Sequence, residues 1–135
     1  MFVDTSAIFA GIDADDIQHK AARDSWARLL RSGGRLETHA MVEIEALALL
    51  QNRLGLDGLD ALRALLPRIE VAEVERDRRR AAFAEAVTDR RRSLSIVDRV
   101  SFSFMRERGI TKAFAFDRHF ADAGFELIGA GADPA

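Results

Sequence analysis

The chain contains no cysteine. That excludes a disulfide framework and a thiolate metal site, so any metal must be held by oxygen or imidazole. Oxygen donors select hard cations, of which Mg2+ or Mn2+ suit a carboxylate site. No apolar run approaches the roughly 20 residues a membrane-spanning helix needs. Met1-Phe2-Val3 enters structure directly, without a charged region and cleavage site, so a soluble cytoplasmic protein is expected. Internal repeats, low-complexity tracts and long linkers are absent, and no glycine-rich phosphate loop or Ser-His-Asp arrangement can be assembled. With 135 residues, 48% of them hydrophobic, one domain spanning 1–135 is expected, and a second has no room.

A general excess of positive charge is also lacking, since the formal net charge is −2. The balance hides a basic segment. Between Glu73 and Arg108 there are ten arginines and seven acids, a local charge of +3 that leaves −5 for the remainder. The runs Arg78-Arg79-Arg80 and Arg90-Arg91-Arg92 support a polyanionic partner, although solvated helix faces are the commoner explanation of such runs.

Apolar runs alternate with helical patterns from one end to the other, the signature of β-α units feeding a mostly parallel sheet. Five short strands are predicted, at Phe2-Val3, 35–38, 69–71, 113–116 and 125–128, the first four each followed by a helix. Helices are predicted over 16–30, ending at Gly33-Gly34; over 40–54, ending at Gly55; over 57–66, closed by Pro67; over 75–90; and over 95–108, capped by Gly109.

In open α/β sheets ligands collect beyond the carboxyl ends of the strands. Asp4 directly follows the first strand and Asp117 the fourth, while Asp98 lies in the first turn of the helix beginning near Ser95. Glu45, in the helix after the second strand, reaches the same edge if the strands are suitably ordered. Singly, each Asp is explained as a helix cap. Together, carboxylates in apolar surroundings such as Phe114-Ala115-Phe116-Asp117 repel one another and call for a cation. A hard cation with open water positions suits phosphodiester hydrolysis, with the basic segment holding the rest of the strand.

The stretches Val3-Asp4-Thr5-Ser6-Ala7, Glu45-Ala46-Leu47-Ala48-Leu49-Leu50-Gln51-Asn52-Arg53-Leu54-Gly55, Leu94-Ser95-Ile96-Val97-Asp98 and Ala115-Phe116-Asp117-Arg118-His119-Phe120 resemble the successive motifs of PIN-domain ribonucleases. The likeness is closest to the VapC branch, the ribonuclease toxins of type II toxin–antitoxin systems, and covers nearly the whole chain in order. It implies an α/β/α three-layer sandwich with a mostly parallel five-stranded sheet. It further implies a Mg2+-dependent endoribonuclease, Mn2+ substituting, whose metal-holding and catalytic acids fall on Asp4, Glu45, Asp98 and Asp117. An RNA substrate, a VapB-like antitoxin and a homodimer are the implied partners. Counted back from Gly55, the family glutamate is Glu45, and Glu43 occupies a place usually apolar.

Thr5 and Ser6 could support Asp4 or contact a phosphate, or equally cap the next helix. His119 could be a base or ligand, though a lone histidine is more often structural. Arg99 could contact substrate or pair with a neighbouring acid, and Trp26, Phe102 and Phe104 fit core packing better than base stacking. The competing functional reading is a catalytically inactive PIN-like module that binds RNA or antitoxin. A phosphoacceptor domain would need adjacent acids after the first strand and a lysine after the last, and has neither.

Overall fold

The computed structural model of the chain describes residues 1–129; residues 130–135 of the expected domain lie outside the described residues. Among the described residues, five strands form one sheet, β1 (Phe2–Val3), β2 (Glu37–His39), β3 (Glu70–Ala72), β4 (Lys112–Phe114) and β5 (Glu126–Ile128). Their order is β3-β2-β1-β4-β5, and every pairing is parallel. The same described residues form six helices, α1 (Thr5–Ile12), α2 (His19–Ser32), α3 (Ala40–Leu65), α4 (Arg76–Asp89), α5 (Ile96–Arg108) and α6 (His119–Asp122), with a 3-10 turn at Leu66–Arg68. Helices α1, α2 and α3 pack together, as do α4 and α5, and the two groups cover the sheet as outer layers.

Parallel strands buried on both faces tend to be apolar. The central strand β1 obeys, with Phe2 and Val3 fully buried against Phe104, Phe120 and Phe114. Trp26 and Phe102 are likewise core residues, and the Trp26 indole N–H donates to Ala7 O at 2.9 Å. The edge strand β3 exposes Glu70, which pairs with Arg35 and thereby discourages pairing with another chain.

The predicted break at Gly55 is a kink within α3, where φ 66° and ψ −149° suit only glycine. Two predicted helix ends, Gly33 and Gly109, are left-handed caps. Helix α1 was not foreseen as an element of its own: TSAIFAGI is apolar nearly all round and offers no polar face to mark its period. The bounds of β1 are those predicted, and the other four strands shift by one or two residues.

His39 ends β2 and caps α3 from the interior. Its Nδ1 accepts the Val42 N–H at 3.4 Å, and its Nε2–H donates to Ser101 Oγ, 2.9 Å away, whose hydroxyl in turn donates to Val97 O. Both ring nitrogens are committed in the neutral form. Burial, with Arg78 nearby, lowers its pKa from 6.5 to about 4. The linkage is that of a depressed group: its stabilisation is full above 6.5 and is lost as pH falls through about 4. This gap corresponds to about 3 kcal/mol. Thermal melts of His39→Gln and the parent should converge as pH is lowered from neutrality; a difference independent of pH would exclude this origin.

Candidate active site

The chain leaves β1 toward β2 and β3 on one side and later returns to β4 and β5 on the other, so strand order reverses between β1 and β4. The crevice beyond their carboxyl ends is where such sheets bind ligands. Asp4 continues β1, its N–H donating to Phe114 O of β4 at 3.0 Å, and it caps α1. Asp117 follows β4 and receives the His119 N–H at 2.9 Å, which starts α6. Asp98 sits in the first turn of α5, its own N–H held by the Ser95 hydroxyl at 3.0 Å. Glu45 stands on α3.

These four acids, with Thr5, Ser6, Leu49, Ser93 and Ser95, line one open cleft of about 460 Å3. Short polar links set its shape. Thr5 Oγ1 donates to Glu45 Oε1, joining α1 to α3. Ser6 Oγ donates to Asp4 Oδ2 at 2.7 Å and accepts the Phe116 N–H at 3.0 Å, fastening the end of β1 to the loop after β4. His119 Nδ1 lies 3.3 Å from Asp98 Oδ2 and 3.0 Å from Asp117 Oδ1.

Asp4 is buried, and its pKa is raised from 3.8 to about 6. Burial is the main cause; the charges of Asp98 and Glu45 add to it, and the two Ser6 hydrogen bonds oppose it. Asp98 is raised too, first by burial and then by the charge of Asp117. Oxygen donors whose proton affinity is raised by burial and by one another suit a small divalent cation, which replaces the missing counter-charge. Asp98, Asp117 and His119 each offer a donor atom within 4.8 Å of the others.

All four acids singled out in the sequence thus meet in one cleft, while Glu43 is absent from its lining. Thr5 and Ser6 unite their two suggested roles: Ser6 N–H completes the α1 cap and both hydroxyls brace an acid. His119 stands closer to the acids than a lone histidine suggested, because α6 begins directly beneath the β4 loop. Ser93 carried no signal in the sequence. Arg99 lies buried away from solvent, paired with Asp89 and Glu85.

The PIN domain family matches residues 1–126. The 23S rRNA-specific endonuclease VapC20 of Mycobacterium tuberculosis, strains CDC 1551 / Oshkosh and H37Rv, is 35% identical over 127 residues, covering 93% of this chain and 95% of the relative. The crystal structure of M. tuberculosis VapC20, described as a Sarcin-Ricin loop cleaving toxin, is similar with a TM-score of 0.82 at 33% identity, covering 96% of this chain and 98% of that one. PAE2754 from Pyrobaculum aerophilum has the same fold, with a TM-score of 0.60 at 22% identity over 94% of this chain and 87% of its own. With the motifs in order, the parallel sheet and the acid cleft at its switch point, the chain belongs to the PIN-domain family, on its VapC-like branch.

Proposed function

We propose that this chain is an endoribonuclease toxin that hydrolyses RNA phosphodiester bonds, with Mg2+ or Mn2+ held by Asp4, Glu45, Asp98 and Asp117. One observation carries the reading: acids from four separate elements line a single cleft at the point where strand order reverses. A capping role would need none of them to converge.

A cation bound among these oxygens would lower the cost of deprotonating the attacking water and of expelling the ribose oxygen. The chain's own groups do the positioning. The Thr5 hydroxyl fixes the Glu45 carboxylate, and Ser6 holds Asp4 in register with the loop bearing Asp117. His119 Nδ1 lies between the Asp98 and Asp117 carboxylates, within hydrogen-bond reach of Asp98. Leu49 adds an apolar wall to the cleft.

The VapC20 relative is named for cleavage of 23S rRNA, so a structured ribosomal loop is the first substrate to try. A VapB-like antitoxin and a second copy of the chain are the partners this reading implies, in the cytoplasm. Among the described residues, no helix is long and apolar enough to cross a membrane. Cleavage of such RNA should require Mg2+ or Mn2+, stop in excess chelator and return when the metal is restored. Undiminished cleavage in chelator would overturn the metal mechanism, and binding without cleavage under any metal would mark an inactive binding module.

A further inference from the structure

Helix α4 ends at Arg90, which takes a left-handed conformation, φ 58°, unusual for a side chain other than glycine or asparagine. The chain then turns tightly, Leu94 N–H donating to Arg91 O at 3.2 Å, before Ser95 caps α5. Arg90, Arg91 and Arg92 are all exposed on this turn, and among the described residues none makes a side-chain hydrogen bond or ion pair. Ser93 and Ser95, immediately following, line the acid cleft. A row of three exposed guanidinium groups, of which only Arg91 feels a nearby acid, Asp89, therefore borders a cleft of four carboxylates.

Exposed arginines in a free loop would be an ordinary solvated surface, but this turn is held from beneath. The Arg99 side chain is wholly inaccessible. Its Nη1 and Nη2 grip the two carboxylate oxygens of Asp89, Nη1 also donates to Glu85 at 3.0 Å, and Nη2 to Arg91 O at 3.4 Å. Asp89 in turn receives the Arg91 N–H at 2.9 Å. A buried guanidinium must be this fully paired to be tolerated, and Nε still has no partner. The clamp ties the residue before the three-arginine turn, Asp89, to the backbone of its middle residue, Arg91, pre-setting the turn at the rim.

We propose that the Arg90-Arg91-Arg92 turn, locked by the buried Arg99–Asp89 clamp, is a binding site for the phosphates of the RNA strand that flank the bond in the acid cleft. The identity of the polyanion rests on the nuclease reading. The arginines supply what the carboxylates cannot, because the cleft itself repels phosphate beyond the one position a cation would neutralise. Arg99 and Asp89 touch no substrate; they are positioning residues.

The test is RNA binding in chelator, independent of cleavage, with a short single-stranded fluorescein-labelled RNA followed by anisotropy. Salt is varied between roughly 50 and 200 mM. Replacing Arg90, Arg91 and Arg92 by alanine should weaken binding and lower the slope of log affinity against log salt by about 2, since each phosphate contact contributes about 0.7 on a single strand. A charge-matched control changes Arg31, Arg68 and Lys112, which lie toward the amino ends of the strands, away from the cleft. If the control loses as much as the turn variant, or if the parent binds no RNA at low salt, the proposal is overturned.

A second arm tests the clamp through opposite signs. Asp89→Ala removes a negative charge and should strengthen binding to any polyanion by charge alone; a loosened turn predicts weaker binding instead. Asp89→Asn replaces it if the alanine variant does not fold. Binding that stays equal or tightens overturns the role of the clamp. Salt-dependent binding through the turn with no Mg2+-dependent cleavage would sink the nuclease reading while leaving this site standing; intact cleavage with an unchanged slope would do the reverse.

Discussion

Asp4→Asn should abolish RNA cleavage and, in chelator at neutral pH, melt at a higher temperature than the parent. Both effects follow from the same burial. Asp4 is pressed among Phe2, Val3 and the other acids, and its pKa of about 6 lies well above the ordinary 3.8. Because the folded protein binds this proton more tightly than the unfolded chain, the group's contribution to stability is full below 3.8 and is lost as pH rises through about 6. At neutral pH the ionised side chain costs the metal-free fold about 3 kcal/mol, which asparagine relieves while keeping an oxygen for the Ser6 hydrogen bonds.

Cleavage should fall by on the order of 100-fold or more, since losing even an outer partner of a metal ligand costs 10- to 100-fold. Magnesium should reverse the stability order. A ligand that binds only the folded state adds about 2.7 kcal/mol at roughly a hundred times its dissociation constant, and the variant should gain little of that. Acidification supplies an internal control: the advantage of Asp4→Asn in chelator should shrink toward zero as pH falls from neutrality to about 4. Over that range the parent gains from Asp4 what it loses from His39, whereas in the variant the His39 loss is unopposed. A variant less stable than the parent at every pH would identify Asp4 as a structural cap alone.

Glu45→Gln should be as damaging to cleavage, and Glu43→Gln should leave it within about threefold. The two are separated by about 200° around the axis of α3, so they cannot serve one site. Glu45 lines the cleft and accepts the Thr5 hydroxyl; Glu43 lies in the first turn, outside the lining. Glutamine at position 45 keeps an acceptor for Thr5, so a loss of rate with an unchanged melting temperature in chelator would isolate the charge as the functional property. Metal affinity, measured by Mn2+ titration of the two variants, should drop only for Glu45→Gln. Inactivation by Glu43→Gln with Glu45→Gln active would require the site to be redrawn around the other face of the helix.

Local chemistry was legible in the residues themselves. Alternating apolar runs and helical periods gave the α/β class, and Gly33, Gly55 and Gly109 announced helix ends and the kink, since their backbone conformations depend on their own missing Cβ. Asp4, Asp98 and Asp117 stood out because charge at strand ends and helix starts in apolar surroundings needs a partner wherever the chain goes, whereas Glu45 was assigned by the family motif counted back from Gly55. What α1 does was not legible, because a segment buried on most sides has no period to read.

Proximity was decided by the tertiary structure. Strand order places β1 beside β4, and that alone brings Asp4 within one loop of Asp117, more than a hundred residues later. His119 acquires two acid neighbours because α6 starts under that loop, and Ser93 joins the cleft because the turn after α4 reaches its rim. Arg99 is the sharpest case. From its residues Arg99 could as well contact substrate as pair with an acid, and the packing of α4 on α5 decides for the pair, since only that packing supplies Asp89 and Glu85 to make a buried guanidinium tolerable. Residue type fixes what a side chain can do; which partners it meets depends on contacts between elements far apart in the chain, and no local pattern records them.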